Sequence, residues 1–341
     1  MERTGRTPDE GPAYVYPQSP RSYILRNDHG IFRDVTSTVC PALSNPGMVT
    51  GAVWTDLDGD HRPDLVICGE WMAIRLFKNT GDRLIEIAAP PGLHGLWRCI
   101  QAVDVDRDGD MDLVVGNMGF NNRYGMAGGH PMMLCAKDMD NNGAPELIPA
   151  YYIKDRQGEY RLYPGLDRNQ LAQEVPAIKK KYLLHKDYST VTMEQLKEDF
   201  GGDGWTELKC ETSASVWLED LGRGKFRTHV LPPEAQFAPV NCVVTEDVDG
   251  DGTVDLVIAG NEYQAEAGSG RYDASYGLVL RGDGKGNFAP MDIAGSGLIL
   301  DGDVRDMKMI RVGAAGRTTG RPDRVLLVAP NDDRIKTFHI K

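Results

Sequence analysis

The chain contains no run of eighteen apolar residues, so no segment reads as a membrane-spanning helix. It contains no Cys-x-x-Cys pair. The six cysteines stand singly, which argues against a zinc site; Cys68, Cys99, Cys135 and Cys242 lie in or beside apolar runs and read as buried free thiols. There is no His-Glu-x-x-His and no Gly-x-Ser-x-Gly, and the seven histidines fall at no ligand spacing. Basic charge is short: 38 Lys and Arg against 50 Asp and Glu leave a net charge of -12. That sign argues against a phosphate backbone as the natural ligand, so no nucleic-acid partner is expected. The first residues, MERTGRTPDEGPAYVYPQ, lack the apolar core of a signal peptide.

What the chain has is a repeat. DLDGDHRPDLVICG begins at Asp56, DVDRDGDMDLVVGN at Asp104, DMDNNGAPELIPAY at Asp138 and DVDGDGTVDLVIAG at Asp247. Each places oxygen-bearing side chains at loop positions one, three and five and a carboxylate at position nine, then enters an aliphatic run. Around the loops, LFKNTGDRLIEI (76–87), VWLEDLGRGKFRTHVL (216–231) and LVLRGDGKGNFAPMDI (278–293) read as β-hairpins with Gly, Asn and Asp in their turns. The unit is strand, acidic loop, strand, then a hairpin. This predicts an all-β fold, a β-propeller of four-stranded antiparallel blades. Repeat units at 53–88, 99–130, 131–232 and 240–293, with a loop-free unit at 303–340 completed by the N-terminal hairpin 23–36, give five blades, with six or seven possible. The expected organisation is an N-terminal extension, 1–22, and one domain over 23–341 carrying an insertion at 167–210. Helices are expected near 167–200, where Thr192 and Gln195 form a capping-box pattern.

The loops crowd charge. At about 4 Å, two bare carboxylates near a protein surface repel by roughly 4 kcal/mol. Alternating oxygens in a tight turn suit a hard cation, and calcium takes six to eight of them. An EF-hand is excluded, because position twelve is Ile67, Val115, Pro149 or Ile258 instead of Glu, and the flanks are strands. Magnesium prefers to keep its waters. The expected ligands are Asp56, Asp58, Asp60 and Asp64; Asp104, Asp106, Asp108 and Asp112; Asp138, Asp140, Asn142 and Glu146; and Asp247, Asp249, Asp251 and Asp255. Three to four calcium ions are expected, with the third loop, short of one carboxylate, the weakest.

The loops and hairpins resemble FG-GAP/VCBS repeats, the propeller repeats also seen in integrin α subunits. GEWMAIRLFKN (69–79), GNMGFNNRYG (116–125), PPEAQFAPV (232–240) and GRYDASYGLVLRGDGKGNF (270–288) are similar to the C-terminal part of large exported bacterial VCBS proteins, which are related to the cartilage acidic protein family and often carry an ASPIC/UnbV domain. No ASPIC/UnbV segment is evident here. The resemblance implies a calcium-binding propeller outside the cytoplasm, despite the missing signal sequence, that engages a protein partner or a larger assembly. With no catalytic motif, the expected role is non-catalytic: calcium rigidifies the blades for protein contact. A glycan-binding module using aromatics such as Trp71, Trp97 or Trp205 is the alternative, and a propeller enzyme a third.

Overall fold

The aliphatic runs that follow the first, second and fourth acidic loops form strands buried on both faces, whereas Glu146–Lys154, after the third, alternates buried and half-buried residues. In Asp112–Gly116 every residue is buried: Leu113 and Val115 face one apolar cluster and Val114 faces another. Asp255–Gly260 behaves the same way, with Leu256 and Ile258 to one side and Val257 and Ala259 to the other. Two-sided burial explains why these runs show no alternation of polar and apolar residues.

The computed structural model describes residues 20–124, 126, 129–222, 224–265, 270–312 and 323–340. Of the expected N-terminal extension, residues 1–19 lie outside the described residues, as does Gly125 of the motif at 116–125. The fold is all-β, with antiparallel sheets of two to five strands and few helices. The chain divides into two compact units, residues 1–48 with 134–207, and 49–133 with 208–341.

The larger unit holds four sheets. Sheet I runs Met48–Thr55, Asp64–Ala73, Arg75–Asn79, Leu84–Ile87, and His94–Leu96 adds to Asp64–Ala73. Sheet II runs Cys99–Val103, Asp112–Gly116, Val216–Asp220, Phe226–Val230. Sheet IV runs Val240–Glu246, Asp255–Gly260, Leu278–Gly282, Phe288–Met291, and sheet V runs Val304–Val312, Asp323–Pro330, Lys336–Ile340. They stack face to face in that order. Val66, Leu76, Trp97, Leu113 and Leu218 fill the space between I and II. Trp217, Val243, Ile258 and Leu280 fill that between II and IV, and Val244, Val257, Val304, Met307 and Leu326 that between IV and V. The first strand of sheet IV packs beside the first strands of both II and V.

The smaller unit holds the hairpin Leu25–Asp28/Ile31–Asp34 and most of sheet III, ordered Tyr160–Pro164, Glu146–Lys154, Met132–Lys137, Thr206–Cys210. Four short helices, Arg168–Glu174, Ala177–Lys181, His185–Tyr188 and Met193–Asp199, occupy the segment where the sequence predicts them. The capping box is present: Thr192 Oγ1 accepts from Gln195 N at 3.3 Å, and Gln195 Oε1 accepts from Thr192 N at 3.0 Å. Leu171, Ile178, Met193 and Leu196 turn their faces inward.

Two expectations are corrected. The hairpin 216–231, assigned by repeat counting to the third unit, completes the second sheet. Val216, Trp217 and Leu218 pair with Val115, Val114 and Leu113. The unit 99–130 supplies only two strands of its sheet, because the chain makes an excursion, 117–215, between the second and third strands of sheet II. Among the described residues, the N-terminal hairpin pairs with itself and sheet V has three strands.

Candidate metal centres

The four acidic loops share one hydrogen-bonding plan, built by their own carboxylates. The position-one carboxylate accepts from the position-six N–H: His61 to Asp56 at 2.7 Å, Gly109 to Asp104 at 3.2 Å, Gly143 to Asp138 at 2.9 Å and Gly252 to Asp247 at 3.0 Å. The position-five side chain accepts from position seven: Arg62 N to Asp60, Asp110 N to Asp108, Ala144 N to Asn142 and Thr253 N to Asp251, all at 2.8–2.9 Å. The position-nine carboxylate accepts from position two: Leu57 N to Asp64 at 3.0 Å, Val105 N to Asp112 and Val248 N to Asp255 at 2.9 Å, and Met139 N to Glu146 at 2.7 Å. Positions four and six are left-handed in every loop, which is why Gly59, Gly109, Gly143, Gly250 and Gly252 fall there. His61, Arg107 and Asn141 hold the same conformation without that freedom.

Three carboxylates converge in each loop, with one oxygen apiece within 4.8 Å of the others: Asp56, Asp58 and Asp64; Asp104, Asp106 and Asp108; Asp138, Asp140 and Glu146; Asp247, Asp249 and Asp251. Asp60, Asp112 and Asp255 stand outside these triads. Asp112 and Asp255 are tied elsewhere. Their second oxygens accept from the neighbouring strand, Asp112 from Asp220 N at 2.8 Å and Asp255 from Gly282 N at 2.9 Å. Asp64 accepts likewise from Asn79 N at 2.6 Å. Position nine thus locks each loop onto its hairpin in sheets I, II and IV.

Burial pushes Asp112 up to about 7 and raises Asp106, Glu146 and Asp255 above the usual carboxylate range. Asp220, which the sequence reading passed over, is 1% exposed and is pushed by burial to about 6, with Asp110, Asp108 and Asp58 adding to the effect. Its Oδ1 accepts from Gly222 N at 2.7 Å, while its Oδ2 is buried with no hydrogen-bond partner. Asp58 Oδ1 is also buried and without one. A buried anionic oxygen lacking a donor is costly, and a cation is one remedy. The donor set is entirely oxygen, which suits a hard dication and no soft metal. These residues fit calcium.

Other features bear on function. Trp71 is 8% and Trp97 0% exposed, so neither offers a face to a sugar; Trp205 is half-buried beneath the Lys137 ammonium. All six cysteines are free, five of them buried. Away from the loops, Glu262 accepts from Arg305 at 3.0 and 3.2 Å, and Arg98 stands 3.3 Å from Glu70 and 3.7 Å from Glu262. Burial pushes Glu262 up, but Arg305 and Arg98 more than reverse this and hold it below its ordinary range.

Residues 56–115 match the FG-GAP-like repeat. The matched segment runs from the first acidic loop to the strand after the second. No curated protein matches the chain. Among solved structures, the biofilm matrix protein Bap1 of V. cholerae aligns with 93% of this chain and 67% of its own, at 11% identity and a TM-score of 0.29. A likeness that loose carries no argument about fold or role.

Proposed function

We propose that the protein is a non-catalytic, calcium-dependent scaffold, a β-propeller outside the cytoplasm that presents a rigid surface to a protein partner or larger assembly. The observation that carries this reading is one loop built four times, each with three converging carboxylates. The FG-GAP-like match over two of these loops supports it, as does the face-to-face stacking of sheets I, II, IV and V, which is how propeller blades pack. Calcium, when bound, would neutralise the triads; four dications would bring the net charge from -12 to -4. The protein's own part is to hold each triad by backbone N–H bonds and, in sheets I, II and IV, to lock its loop onto a hairpin through position nine.

Loops of this kind are matched to extracellular calcium, about 0.1–1 mM. At tenfold excess over the dissociation constant, each occupied site stabilises the fold by about 1.4 kcal/mol. Melting the full chain in chelator and again in 2–5 mM calcium, on the order of the range for extracellular modules, tests the reading. The melting temperature should rise by several degrees in calcium, and identical melts in both buffers would refute it.

A further inference from the structure

Lys78, Glu219 and Arg281 occupy one position in three sheets. Each immediately precedes the residue, Asn79, Asp220 or Gly282, whose N–H reaches the position-nine aspartate. At the first loop the Lys78 ammonium pairs with Asp58 and stands 4.0 Å from Asp60. At the fourth, Arg281 Nε pairs with Asp249 at 2.7 Å, and Nη2 stands 4.0 Å from Asp251. At the second the residue is an acid. Glu219 is turned to Arg227 at 3.1 Å and His229 at 2.6 Å, and among the described residues no basic side chain pairs with Asp104, Asp106 or Asp108. Beside it lies Asp220, buried, its Oδ2 without a partner, close enough to Asp108 and Asp110 to feel their charge.

Resting on the reading of these loops as cation sites, we propose that Lys78 and Arg281 are tethered competitors. They weaken divalent-cation binding at the first and fourth loops and make it exchangeable, whereas the second loop, flanked by Glu219 and Asp220, binds most tightly. A cation entering the first loop must release the Lys78 ammonium, and one entering the fourth must release the Arg281 guanidinium. The coupling is reciprocal: whatever else engages these two side chains favours cation uptake. A partner with acidic groups near Lys78 or Arg281 would therefore bind better in calcium, and calcium better in its presence.

Calorimetric titration of calcium ions into the metal-free full chain tests this, with Lys78→Met, Arg281→Met and Glu219→Lys alongside and circular dichroism confirming each fold. The wild type should show a tight class and weaker ones. Lys78→Met and Arg281→Met should each tighten one weak class by about fivefold, the equivalent of a strong exposed ion pair. Glu219→Lys should weaken the tight class by a similar factor. Calcium binding that ignores Lys78→Met and Arg281→Met would overturn the competitor role and leave the calcium reading standing. A wild type that takes up no calcium would end both.

Discussion

At the residue scale, the carboxylates within one loop divide by job. Asp112 is 1% exposed and satisfies two backbone N–H groups, whereas Asp106 takes only the 3.3 Å bond from Asp108 N. In chelator, Asp112→Ala should cost roughly 2–4 kcal/mol, since two donors lose their acceptor, and Asp106→Ala under about 1 kcal/mol. Urea unfolding of both variants without metal measures the difference; equal losses would mean position nine has no special structural part. Glu262 gives a separate prediction. Its pKa is held below the ordinary value, so it stabilises the fold above about pH 4.3, its unfolded value, and this is lost as pH falls through the lower folded value. Glu262→Gln should cost about 1–2 kcal/mol at pH 7 and progressively less toward pH 3, read from paired melts. Positions one, three, five and nine were legible because they fall within nine consecutive residues. Asp220, Glu219, Lys78 and Arg281 were not, because the register of a distant hairpin brings them to the loops.

At the element scale, hydrophobic content identifies strands more readily than their neighbours. The runs after the first, second and fourth acidic loops announce themselves as buried, and Thr192 with Gln195 marks a helix start, so strands and helices were readable locally. The hairpin 216–231 was readable as a hairpin but not as part of sheet II, because Val114 and Trp217 meet across about a hundred residues of chain. Close backbone approach is equally invisible to pattern. A Cβ on Gly260 would collide with the Pro239 carbonyl, where the register of Val240–Glu246 against Asp255–Gly260 shifts between Val240 and Cys242. Gly260→Ala should therefore destabilise by about 2–3 kcal/mol, visible as a lower urea midpoint at unchanged slope.

At the scale of the whole molecule, four stacked sheets follow from strands that are apolar on both faces. Each such strand needs a neighbour on either side, and the next sheet in the chain supplies it. The excursion 117–215 has a consequence in time. On the ribosome, at about 5–20 residues per second, Asp112–Gly116 emerges roughly 5–20 s before the strand that pairs with it. Through that interval its outer edge is open to a strand of another nascent copy, a route to exchanged dimers. The same delay should mark refolding in vitro, since closing so long a loop is slow. Trp217, 3% exposed on the late strand, reports it. With prolyl isomerase present, the slowest fluorescence phase should lose amplitude in Trp217→Phe, the remainder reported by Trp97 beside Leu218, and an unchanged amplitude there would place the late step in another sheet.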